Sequence, residues 1–173
     1  MKLGLSLLHG HQRFFSWACK TCKHRDFGLW KCTAPFKKSK MKRKKQMQRQ
    51  FKKYLGLSVD FAKPGSGSTT TGMTAKRAFQ KPKTLSKILH IPLELITIWK
   101  TLMDALNSGW DVDPLKYDAK AQEFLEIFHG DPSVKWSILN ATTHLFLWHG
   151  KSCIEVMEIT PFFLSEEGMH YNF

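Results

Sequence analysis

A run of seventeen residues, KKSKMKRKKQMQRQFKK from Lys37 to Lys53, holds ten Lys or Arg and no acid. Cations this dense cannot all be taken out of water, so the segment must leave one side facing solvent or a polyanion. Its sparse apolar positions, Met41, Met47, Phe51, Tyr54 and Leu55, predict a helix with a narrow buried stripe, stopped at Gly56. The chain then passes through the Gly/Ser/Thr stretch PGSGSTTTG into TAKRAF, ending at Phe79. Up to Leu93 there are 22 basic and 2 acidic residues; from Glu94 onward there are 5 and 12, so +20 sits on the first part and −7 on the second. This asymmetry points to a polyanion partner, although a solvated lysine-rich helix or a nuclear-localisation signal would also explain the run.

With 173 residues, 42% hydrophobic and 13% aromatic, the chain is expected to fold as one domain with a core. Three segments are expected within it: an N-terminal helix and connector over 1–36, the basic helix and Gly/Ser/Thr loop over 37–82, and a helical region over 83–173. No apolar run approaches the roughly 18–20 residues needed to span a bilayer. The opening MKLGLSLLHGHQR has a short apolar run followed by HGHQR instead of small residues, which argues against a secretory signal. Four cysteines without other signs of a stapled fold are expected as reduced thiols.

Apolar spacing predicts helices over about Gln12–Lys23 and, briefly, Thr74–Phe79. Leu85, Ile88 and Leu89 mark a short helix. Leu93, Ile96, Trp99, Leu102, Met103 and Leu106 mark a longer one ending near Gly109. Asp113-Pro114 reads as an N-cap and first residue, followed by the stripe Leu115, Ala119, Phe124, Leu125, Phe128. A further helix is expected from Pro132 through Trp148, then a mixed segment over 150–163, and Ser165-Glu166-Glu167 reads as a last helix start. The whole is expected to be an antiparallel helical assembly of mainly α class.

Several residues could do chemistry. Cys19 and Cys22, with His24 and Cys32 nearby, could grip zinc, but as helical residues they read more simply as small core side chains. Gly67, Gly72 and Thr74 have phosphate-loop spacing, but Met73 stands where that motif needs lysine. A loop whose amides and hydroxyls approach a nucleic-acid backbone fits better. His144 and His149 stand five apart, which does not share one face of a regular helix; joint metal binding needs the helix to distort there, and by themselves they read as partly buried core histidines.

The order of these motifs resembles the C-terminal region of the catalytic V(D)J recombination-activating protein and the Transib-type transposases. KRKKQMQRQFKKYLGLSVD, PGSGSTTTG and GMTAKRAF are similar to that family's basic helix, Gly/Ser/Thr loop and GNTARRAF. ALNSGWDVDPLKYDAKAQEFLEIF, THLFLWHG and SEEG are similar to its helix–turn–helix, its H-x4-H-G and its closing S-E-E. The likeness runs from about Arg13 to Phe173.

The resemblance implies an RNase H-like recombinase in which carboxylates hold two magnesium ions and cut DNA. It also implies a zinc-bearing helical part to which His144 and His149 would belong as ligands. The family's two catalytic aspartates and its zinc-binding Cys pair lie upstream of anything in this sequence. Its last carboxylate is matched by His170 or Met169, and two loop asparagines by Thr70 and Met73. A two-metal site therefore cannot be assembled from these residues, and magnesium enters only if the chain belongs to an intact recombinase.

These readings converge on a transposase-derived, nuclear, catalytically inactive fragment that binds DNA non-specifically. Phosphates would be met by Lys42, Arg43, Lys44, Lys45, Arg49, Lys52 and Lys53, with Lys76 and Arg77 beside the loop. Zinc is a candidate cofactor and a second copy of the chain a candidate partner. Two alternatives stand beside this: the C-terminal piece of an active metal-dependent recombinase, and a degenerate structural relic whose basic tract serves only as a nuclear address.

Overall fold

Phe14, Phe15 and Trp17 lie side by side in the first helix, and a helix carrying so many large apolar residues must be covered on more than one side. In the computed structural model, which describes residues 7–65 and 67–156, that helix is α1, Leu7–His24. It starts five residues before the expected Gln12. Its buried positions run from Leu7 to His24, and the helices Lys37–Leu55, Gly72–Phe79, Pro82–Leu89, Leu93–Leu106 and Ala141–His144 all pack against it. The Phe14 ring stacks on Trp99 at 4.5 Å and meets the edge of Phe124 at 5.8 Å, while Phe15 meets Phe51 at 5.5 Å. Each such ring removed from water contributes about 1.5–3 kcal/mol. The fold is mainly α, and the described residues contain no strand beyond the isolated bridge Ala62–Ser68.

The basic tract forms α2, Lys37–Leu55, entered through a short 3-10 turn at Ala34–Phe36 and closed by Gly56 at φ 67°. Only Met47 and Phe51 of this helix are fully buried, so little apolar surface holds it. The connector from α1 is pinned in its place: Phe27 stacks on Phe36 at 4.7 Å, Lys20 Nζ sits 3.7 Å above the Trp30 ring, and His24 Nδ1 donates to the Leu29 carbonyl at 2.9 Å.

Helices α3 (Gly72–Phe79), α4 (Pro82–Leu89) and α5 (Leu93–Leu106) follow with short turns, and Leu85, Ile88 and Leu89 are buried as their spacing predicts. Helix α6 (Pro114–Gly130) begins on the expected cap, Asp113 accepting from the Leu115 and Lys116 amides. Its buried stripe is Tyr117, Ala121, Phe124, Leu125 and Phe128, whereas Leu115 is 68% exposed. Ala119 is exposed as well, so the first two members of the expected stripe lie on the outer face: each is two residues from Tyr117, about 160° around the helix from it.

The helix expected from Pro132 does not form there. Asp131 instead organises turns, accepting from the Ser133 amide through its side chain and from the Val134 and Lys135 amides through its carbonyl. Helix begins only after Asn140, whose side chain accepts from the Thr143 amide at 3.0 Å. From there α7 (Ala141–His144), a π-turn (Leu145–His149) and α8 (Gly150–Val156) run on without a break, so residues 150–156 are helical where a mixed segment was expected. Ser165-Glu166-Glu167, Met169 and His170 lie outside the described residues. No helix among the described residues is long and apolar enough to cross a membrane.

Candidate nucleic-acid interface

The spacing of α2 sorts its cations by direction. Lys37, Lys38, Lys42, Lys45, Arg49, Lys52 and Lys53 are all exposed, recurring every three or four residues along one face. At 1.5 Å per residue the face from Lys37 to Lys53 is about 24 Å long, close to seven base-pair steps of duplex DNA. A shallow groove of about 840 Å³ follows its first three turns, lined by the Lys37, Lys38, Lys42, Lys45 and Arg49 side chains with Met41 and Gln46 between them. Lys37 and Lys38 are as well placed as the cations the sequence singles out, and the i, i+4 step from Lys38 to Lys42 is the signal that includes them.

Arg43 and Lys44 point elsewhere. The Arg43 guanidinium grips the Asp26 carboxylate through Nε at 2.8 Å and Nη2 at 2.6 Å. This hydrogen-bonded pairing, helped by Ser39, holds the Asp26 carboxyl below its ordinary range. Lys44 lies 3.5 Å from Asp60, which also receives Lys23 at 2.7 Å. Asp26 and Asp60 are the two acids of the first 93 residues. Both are spent fastening α2 to its surroundings, so the outward face carries no acid at all.

The described residues of the Gly/Ser/Thr stretch are hydrogen-bonded rather than a free loop. Thr69 donates its amide to the Phe61 carbonyl at 2.8 Å, Lys63 to that of Gly67 at 3.2 Å, and Ala62 bridges Ser68, which makes a narrow hairpin beside α2. Thr71 caps α3 by accepting from the Thr74 amide. A phosphate cradle does not form at Gly72: a Cβ there would press on the Leu8 side chain and lie 3.0 Å from its carbonyl oxygen, so this glycine serves helix packing. Lys76 is half-buried and Arg77 exposed on α3, which packs on α1 and α4.

His144 and His149 are exposed, not core residues, and their ring centroids are 5.5 Å apart. A π-turn, bonded from i to i+5, stacks residues five apart and removes the offset that a regular helix would impose. Tyr117 stabilises it by donating its hydroxyl to the Phe146 carbonyl at 3.2 Å, and burial pushes that phenol's pKa well above its ordinary value. Gly150 stays in ordinary helical geometry, φ −58°, so it permits the distortion by its size: a Cβ would sit 2.5 Å from Tyr117 Cε1. The His144 ring is stacked on Trp148 at 4.4 Å. Two imidazoles supply half of a tetrahedral zinc set, and no group of three His, Cys, Asp or Glu suited to a metal forms among the described residues.

Cys19 and Cys22 are buried and unpaired in α1, with their thiol pKa values raised by burial, that of Cys22 to about 11. Such thiols are neutral fillers of the core, as their helical placement suggests. Cys32 lies in the connector and Cys153 in α8, both unpaired. No protein-family model matches the chain, and a comparison with curated proteins likewise finds no match.

Proposed function

We propose that this chain binds DNA through the phosphate backbone, using the outward face of α2. The observation that carries the reading is the segregation of charge on that helix: Arg43 and Lys44 are turned onto Asp26 and Asp60, and seven of its other eight cations share one exposed face that carries no acid. Lys76 and Arg77, on the helix that follows the Gly/Ser/Thr stretch, would supply a second contact. Contacts of this kind position a protein on a duplex without reading bases.

The resemblance to transposases and V(D)J-type recombinases supports DNA as the polyanion and a nuclear setting. It also assigns the chain a holding role over a cutting one, since His170 or Met169 stands where the family has its last carboxylate. The converging His144 and His149 keep zinc in this reading, with its remaining donors supplied from outside the described residues.

The test is a salt titration of binding to labelled duplexes of unrelated sequence. Each neutralised phosphate steepens the plot of log K against log salt by about 0.9. The variant with Lys42, Lys45, Arg49, Lys52 and Lys53 changed to Ala should therefore lose about 4.5 units of slope, with little dependence on sequence in either protein. Equal affinity at low and high salt, or an unchanged slope in the variant, would overturn the reading.

A further inference from the structure

We propose that the hairpin in which Phe61–Lys63 pair with Gly67–Thr69 is a wing that presses the Phe61 ring into bent or locally unstacked duplex DNA beside the α2 face. This rests on the DNA-binding reading and adds the kind of DNA preferred. The base of the hairpin is clamped to α2 at one residue. Asp60, at φ 59°, accepts from Gln48 Nε2 through its carbonyl at 2.9 Å and binds Lys23 and Lys44 through its carboxylate. Its amide is held by Thr70 Oγ1 at 3.0 Å, and Gln12 donates to the Thr70 carbonyl. Both arms of the hairpin are thus fixed to the helical body at their base.

At 100° per residue, Gln48 lies about 20° from Met41 and about 40° from Lys52 around α2, and Lys44 about 60° from Met41. The hairpin therefore stands along one edge of the cationic face. Residues 61–65 are exposed, and Lys63 is the only charged residue between Phe61 and Thr69.

Phe61 is 46% exposed, while Phe14, Phe15, Phe51, Phe79, Phe124, Phe128 and Phe146 are all buried. A phenyl ring left in water on an acid-free hairpin, next to a phosphate-binding surface, has the chemistry of the apolar wedges that enter base steps and kink a duplex. Such a wedge gains most where stacking is already weak, as at mismatches and pyrimidine–purine steps.

The experiment compares a fully paired duplex with one containing a central mismatch flanked by 2-aminopurine, for the full chain and for Phe61→Ala and Phe61→Leu. The wild type should bind the mismatched duplex about five- to tenfold tighter and raise the 2-aminopurine fluorescence at saturation. Phe61→Ala should lose both effects while keeping the steep salt dependence, and Phe61→Leu should retain much of them. An equal preference in wild type and Phe61→Ala, with salt dependence intact, overturns the wedge alone. Absence of binding to either duplex overturns the DNA-binding reading with it.

Discussion

His24 shows how much a single side chain can carry. Its Nδ1–H is committed to the Leu29 carbonyl, and Nε2 is buried without a hydrogen-bond partner, among Phe27 and Trp30. A second proton would place an N–H donor in that unpaired position. Burial first, then Lys40, Lys20 and Lys23, hold its pKa below the ordinary value against the opposing Leu29 bond. Since the folded pKa is the lower one, the unfolded chain takes up the proton first as pH falls. Stability is therefore complete above the ordinary histidine value near 6.5 and declines as pH drops from there toward the folded pKa. Thermal melts across this range should show the decline, and His24→Asn, which keeps a donor for Leu29, should flatten it. His90 moves in the same sense, through burial and then Arg25 and Arg43, so a residual slope is expected. The sequence signals a histidine near two cysteines and suggests a metal; that the ring holds a connector instead depends on Leu29, Phe27 and Trp30 folding back over it.

Elements differ in how openly the sequence announces them. Helix α2 is legible at its C-terminal end because Gly56 adopts the left-handed conformation that its type favours, and α6 because Asp113-Pro114 supplies both a cap and a preset first turn. The π-turn is not legible. It depends on Tyr117, 29 residues before Phe146 in the chain, reaching a carbonyl that a regular helix would bond internally. Gly150→Ala should force Tyr117 aside and cost about 1–3 kcal/mol in chemical denaturation. Gly130→Ala, with nothing within 4 Å of the added Cβ, serves as the control and should change little. Equal effects at the two sites would contradict the packing role assigned to Gly150. The failed helix at Pro132 has a similar origin, because Asp131 offers its own oxygens to the following amides and ends in turns what periodicity alone would continue.

At the scale of the whole molecule, one aromatic network joins regions of very different composition. Phe15 and Phe51 link α1 to the basic helix, Phe14 links α1 to Trp99 and Phe124 in the acidic part, and Trp99 reaches Phe146 in the π-turn. Unfolding followed by far-ultraviolet circular dichroism and by tryptophan fluorescence should consequently give superimposable transitions. An early helical loss without a fluorescence change would mean that α2 leaves first. Asp26 and Asp60 decide how damage to that helix would be felt. Substitution of Arg43 or Lys44 removes an ion pair that fastens the helix, whereas on the proposed DNA-binding reading substitution of Lys42 or Lys45 would weaken only the grip on DNA, although the four residues are consecutive. In a natural population of variants, neighbouring positions in one lysine run would thus fall into two separate classes of defect, one seen in the amount of protein and the other in what it holds.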